Sequence, residues 1–159
     1  MTAVSEQIGN WLEAFSTQEV SPFQALREAG FHKFAELGFP TTHDEEWRFT
    51  NVAPIARGTF APAKPVAPGD IDSLAPWTAG NRLVFVNGVL VEQISTLPKG
   101  VSAGNLDADA EPYLAQHAQI DLTPFVALNT AFLNQGAFVR IARGTVVEAS
   151  SGSCRGVVA

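Results

Sequence analysis

Cysteine is nearly absent from this 159-residue chain, with Cys154 the single one. That excludes an internal disulfide framework and a Cys-rich metal cage. Basic residues are also few. Lysine and arginine total 10 against 16 acids, giving a net charge of −6, and they are scattered rather than clustered. Such a balance argues against nucleic acid or an anionic membrane surface as the main partner. No Lys or Arg precedes Arg27, so the basic start of a secretory signal is missing, and no apolar segment of the required kind follows. No run approaches the roughly 20 apolar residues of a membrane span. The expectation is a cytoplasmic chain.

Motifs for common chemistries are missing too. The glycines are isolated in turns, and none forms a phosphate cradle. A G-x-S-x-G elbow is absent, because Gly152-Ser153-Cys154-Arg155-Gly156 has cysteine at its centre. His32, His43 and His117 show no metal-ligand spacing. Cys154 has only Arg155 as a basic neighbour, which gives no reason for an activated thiol.

What is present is a globular composition, 46% hydrophobic and 16% charged, enough for one domain or for a small domain and part of another. Val4, Ile8, Trp11, Leu12 and Phe15 recur at helical spacing. A second helix starts with Ser21 as N-cap, Pro22, and Gln24 completing a capping box, and Gly38 ends it. Phe23, Leu26, Phe34 and Leu37 line one face, where Gly30 lets another backbone or a bulky ring come close. The two helices are expected to pair and bury Trp11, Phe15, Phe23 and Phe34, with Trp47 and Phe49 completing the core.

Pro62, Pro65 and Pro68 mark a semi-rigid linker at 59–70. Beyond it the pattern becomes extended. Asn87-Gly88 between two β-rich runs predicts a hairpin, and 101–106 a third strand. Glu111-Pro112-Tyr113-Leu114 predicts a short helix with Pro at its first position. Thr123 then caps a longer helix with Phe125, Leu128 and Phe132 inward, Asn129 on the same stripe anchoring a neighbouring backbone, and Gly136 as terminal cap. Short strands follow at 137–141 and 145–148.

The densest chemistry lies in Pro40-Thr41-Thr42-His43-Asp44-Glu45-Glu46-Trp47-Arg48-Phe49-Thr50. A small stand-alone acid–base hydrolase using His43, Asp44 and Glu46 is one reading. A structural reading makes Thr42 an N-cap and Glu45 its capping-box partner, with acids favoured on the first turn by the helix dipole. A third is an interaction module whose first helix docks a partner.

Several of these residues also carry a resemblance. Phe31-x-x-Phe34 through Gly38-Phe39-Pro40-Thr41, then Asp44-Glu45-Glu46-Trp47-Arg48-Phe49-Thr50, resembles the N-terminal signature of the SufD family, scaffold subunits of the SUF iron–sulfur cluster assembly system within the SufB/SufD superfamily. Leu83-Val84-Phe85-Val86-Asn87-Gly88 looks like the family's first hairpin. Phe125-Val126-Ala127-Leu128-Asn129-Thr130-Ala131-Phe132, with Gly136 and 139–147, looks like its helix leading into the core. The resemblance spans about 4–148.

It implies an α+β build: an N-terminal helical subdomain (1–58), the Pro-rich linker (59–70), and a hairpin-containing mixed region (71–148) entering the first strands of a truncated right-handed parallel β-helix. Residues 149–159 diverge from the family and are expected to be a disordered tail, through truncation or a frame change near 149. The resemblance implies a non-enzymatic scaffold with a SufB-like subunit and a SufC-like ATPase as partners. It assigns no catalytic, cofactor-binding or metal residue here. Iron–sulfur clusters are what the full family works on. Thr42, Asp44, Glu45, Glu46, Trp47, Arg48, Phe49 and Thr50 then form a structural family motif.

Overall fold

A computed structural model describes residues 3–61, 82–91 and 97–147. The elements are α1 (Ala3–Ser16), α2 (Gln24–Leu37), a 3-10 turn (Glu45–Trp47), α3 (Ala53–Arg57), β1 (Phe85–Val86), β2 (Val89–Leu90), β3 (Val101–Asn105), a second 3-10 segment (Ala108–Tyr113), α4 (Pro124–Ala131) and β4 (Ala137–Ile141). Helices followed by small antiparallel sheets make a mixed α and β fold. The contacts divide it into two units, one of 1–62 with 108–134 and one of 63–107 with 135–159. Residues 108–134 therefore join the N-terminal helices instead of the mixed region at 71–148. The cause is that α2 packs chiefly against α4. The linker expected at 59–70 lies outside the described residues beyond 61, as does the tail at 149–159.

In the first unit, Ser21 opens α2 by accepting the Phe23 N–H at 3.2 Å. The predicted box is only half formed. The helix begins at Gln24 itself, so the Gln24 amide points along the helix and donates to Glu28 at 2.8 Å. Gly38, at φ +68°, ends it with its N–H on the Phe34 carbonyl at 2.8 Å, the backbone angle that favours glycine. Thr123 caps α4 as expected, accepting the Val126 N–H at 3.3 Å.

The core joins Phe31 and Phe34 of α2 to Ala127, Leu128 and Ala131 of α4, with Trp11, Phe15, Phe39, Phe125 and Phe132 around it. Phe15 stacks on Phe31 at 4.6 Å, and Trp11 meets Phe34 edge-on at 6.4 Å. Phe23 is buried but outside this cluster. Gly30 sets the helix approach: a Cβ there would lie 2.9 Å from both the Ala127 carbonyl and the Ala131 nitrogen. Phe125, Leu128 and Phe132 join the core as expected, and one residue of the predicted stripe is corrected. Asn129 is exposed, whereas Ala127, Thr130 and Ala131 are buried, because only small side chains fit where two backbones come so close. Thr130 satisfies its hydroxyl within the helix, on the Val126 carbonyl at 2.9 Å.

Arg27 is the surprise of this core, at 1% exposure. Its Nε donates to the Ala131 carbonyl at 3.2 Å and its Nη1 to the Glu19 carbonyl at 3.0 Å. The guanidinium also lies 5.7 Å from the Phe15 ring centroid. Ala131 ends α4, so the cation meets the negative end of that helix. Burial lowers the Arg27 pKa from its ordinary value.

In the second unit, Asn87 (φ +50°) and Gly88 (φ +80°) make the predicted two-residue turn, pairing Phe85 with Leu90 and Val86 with Val89. β3 and β4 pair antiparallel, Val101 opposite Ile141 through Asn105 opposite Ala137. Three local expectations are corrected. Gly136 does not cap α4, which stops at Ala131. It sits against Leu106 instead, where a Cβ would come within 2.8 Å. Pro112 is inside a 3-10 segment that begins at Ala108, early enough to bury Ala110. Residues 145–147 form no strand, since a turn at Gly144 brings the Thr145 N–H onto the Ala142 carbonyl at 3.0 Å.

Two substitutions test this packing. Gly30→Ala should destabilise by about 1–3 kcal/mol through overpacking, although alanine is the better helix former. Gly9→Ala, where a Cβ meets nothing within 4 Å, should stabilise by up to about 1 kcal/mol. Urea unfolding of both decides, and two changes of the same sign would contradict the close approach. Arg27→Met should cost about 2–4 kcal/mol. Arg27→Lys should recover little, because an ammonium lacks the planar fork that spans two carbonyls.

Candidate functional site

The acidic-aromatic stretch is a folded turn. The Thr41 N–H donates to Asp44 Oδ2 at 2.7 Å, and the Thr41 hydroxyl donates to the same oxygen at 3.1 Å. In return the Thr41 hydroxyl oxygen accepts the His43 N–H at 3.2 Å. Asp44 then leads the 3-10 turn, its carbonyl accepting the Trp47 N–H at 2.9 Å. The predicted box on Thr42 and Glu45 does not form; instead the Asp44 carboxylate reaches back to Thr41, while the Thr41 hydroxyl accepts from His43. Thr42 and Glu45 are both exposed. The two threonines offer the same three-residue spacing to an acid. The turn selects the pair whose members flank its closing bond, from the Asp44 N–H to the Thr41 carbonyl at 3.0 Å.

The Thr41 N–H and hydroxyl, in that order, lower the Asp44 pKa below the ordinary aspartate value, with a smaller contribution from His43 and against some desolvation. An ionised carboxylate committed to its own turn is a poor proton donor. His43 and Glu46 are exposed, and no side-chain hydrogen bond among the described residues joins them to Asp44.

Trp47 is half-buried against Phe125, ring centroids 5.1 Å apart, and Phe39 meets Phe125 at 6.0 Å. The expected second anchor does not form. Phe49 is 91% exposed, and its ring neighbour is the Arg48 guanidinium at 5.4 Å. A 3-10 turn of three residues ends too soon to bring both rings inward. Thr50 closes the segment with its N–H on the Trp47 carbonyl at 2.9 Å.

Elsewhere, Ser102, Asn105, Asp107, Phe138 and Arg140 line a shallow, open cavity of about 170 Å³ in the second unit. Its main feature is the Arg140 guanidinium over the Phe138 ring at 4.6 Å. His32 and His117 are exposed, and Cys154 lies outside the described residues. Among the described residues no three His, Cys, Asp or Glu side chains group as metal ligands, and no helix is long and apolar enough to cross a membrane. Sequence reasoning missed two residues, Arg27 and Thr41. For Thr41 the signal was present, since Thr41-x-x-Asp44 has capping-box spacing. For Arg27 there was none, because its acceptor at Ala131 is remote in sequence.

No protein-family model matches the chain, and no curated protein matches it.

The Asp44 turn has a pH signature. A carboxyl with a depressed folded pKa contributes stability above its ordinary range, and that contribution is lost as pH falls through the folded pKa. Carboxyl NMR should place the Asp44 midpoint below that of a free aspartate. Thr41→Val, which removes the hydroxyl but keeps the N–H, should raise it part of the way. A midpoint unmoved by Thr41→Val would show that the hydroxyl bond is not made.

Proposed function

We propose that this chain is the N-terminal region of a SufD-like scaffold subunit, working in the cytoplasm with a SufB-like subunit and a SufC-like ATPase in iron–sulfur cluster assembly. The observation that carries the reading is the meeting of its separated signature segments. Phe31, Phe34 and Phe39 and the Trp47 turn belong to one signature, and Phe125, Leu128 and Phe132 to another. They come together in one aromatic core, so the signature residues make a single structural unit. Asp44 closes a turn and Trp47 anchors it, roles that a scaffold needs and that leave the stretch outside the chemistry.

In this reading the clusters are cargo of the assembled complex, and no residue of this chain is assigned to hold one. The finer fold expectation belongs here as well: β4 would lead into the first coil of a right-handed parallel β-helix. Solenoid coils need neighbours to bury their faces, so a partner subunit or further coils would cover it. The first helix supports this reading over that of a free docking helix, because Trp11 and Phe15 are engaged in the core.

Co-expression with SufB-like and SufC-like proteins tests the proposal. A complex that survives affinity purification and gel filtration is the expected result, and failure to co-purify with either partner would count against it. Replacing His43, Asp44 and Glu46 together with Ala separates scaffold from hydrolase. A scaffold should lose thermal stability and retain partners, whereas an acid–base enzyme would lose turnover with its fold intact.

A further inference from the structure

Residues 58–61 leave α3 and lay the Phe60 ring on the Trp11 indole, centroids 5.3 Å and planes 35° apart. Phe34, Phe39 and Phe132 surround the same indole at 5.6–6.4 Å. Those three are buried or half-buried, whereas Phe60 is 51% exposed. Phe60 is therefore the solvent-side member of the set. Gly58 permits the fold-back, because a Cβ there would lie 2.5 and 2.7 Å from two Phe60 ring atoms. Its φ of −70° and ψ of 150° suit any residue. The glycine is needed for clearance of the ring, and the backbone there is unstrained.

Two further observations bear on how firmly this contact holds. Trp11 Nε1 is buried with no hydrogen-bond partner among the described residues. A desolvated donor without an acceptor opposes the closed arrangement and offsets part of the gain from one ring pair and half a ring of burial. In addition, the last backbone hydrogen bond before the fold-back is Gly58 N–H to the Ile55 carbonyl at 3.1 Å, and none among the described residues ties 59–61. Among the described residues the ring contact is what holds the segment.

We propose that 58–61 is an aromatic strap hinged at Gly58. It is closed when Phe60 covers Trp11, and it opens when the ring lifts and water reaches the indole N–H. Opening supplies the missing acceptor and so offsets part of what the ring contact gains, leaving the closed state favoured by about tenfold. Closing the strap therefore controls solvent access to the Trp11 indole N–H, and this does not depend on the scaffold reading.

Hydrogen exchange of the Trp11 indole N–H in the full chain, followed by NMR and assigned with Trp11→Phe, tests the strap. Phe60→Ala removes the ring. Gly58→Ala keeps it but drives it off the indole, at a backbone position that accepts alanine. Both should speed indole exchange by about tenfold, the factor associated with losing one aromatic pair, while the α2 amides keep their protection. Unchanged indole exchange in both variants would overturn the proposal, as would a parent indole that already exchanges at the free rate. If Phe60→Ala fails to fold, Gly58→Ala alone decides by the same criterion.

Discussion

The helical unit depends on how closely α2 and α4 approach at Gly30. With the Ala127 carbonyl and the Ala131 nitrogen both 2.9 Å from where a Cβ would sit, there is no room for a side chain on α2 and little for any on α4. That constraint explains why α4 turns its alanines and Thr130 inward. It also explains why the large rings collect around the crossing and not within it. Phe31, Phe34, Phe125 and Phe132 flank the contact, and Trp11 and Phe15 close it from α1. Arg27, one helical turn before Gly30, reaches the end of α4 and ties it to the 17–23 connection through the Glu19 carbonyl. A buried guanidinium keeps its charge here by saturating backbone carbonyls at a helix terminus and lying near an aromatic ring.

The acidic-aromatic turn is subordinate to that crossing. Phe125, at the start of α4, receives both Phe39 and Trp47, so the turn is placed by a helix that begins some 75 residues later. Its own geometry is local, with Thr41 and Asp44 exchanging bonds and the aspartate held ionised. Negative charge on Glu45 and Glu46, together with the exposed Phe49 and Arg48, faces solvent. Half of the stretch builds the unit and half is left at its surface.

Much of the local structure was legible beforehand. Gly38 and Thr123 cap their helices, Asn87-Gly88 turns the hairpin, and Gly30 admits a close neighbour, all from residue types whose backbone or side-chain chemistry acts within a few positions. The errors share a cause. Asn129 shares a helical stripe with Phe125 and Phe132, which do reach the core, yet the crossing admits the small Ala127, Thr130 and Ala131 beside Leu128 and leaves the amide outside. Phe49 was placed in the core because it is aromatic, yet the turn is too short to deliver it. Thr41 and Thr42 both fit the spacing, and only the closed turn distinguishes them.

The sequence by itself determined the end of α2 at Gly38, the start of α4 at Thr123, the hairpin and the change from helical to extended pattern near the middle of the chain. These features arise from interactions between residues no more than about four apart. Tertiary structure alone decided that 108–134 returns to the N-terminal helices, that Asn129 of α4 stays outside, and that the Arg27 guanidinium reaches the Ala131 carbonyl. Those outcomes depend on backbone atoms about a hundred positions away, whose carbonyls and close approaches leave no periodic trace in side-chain identity.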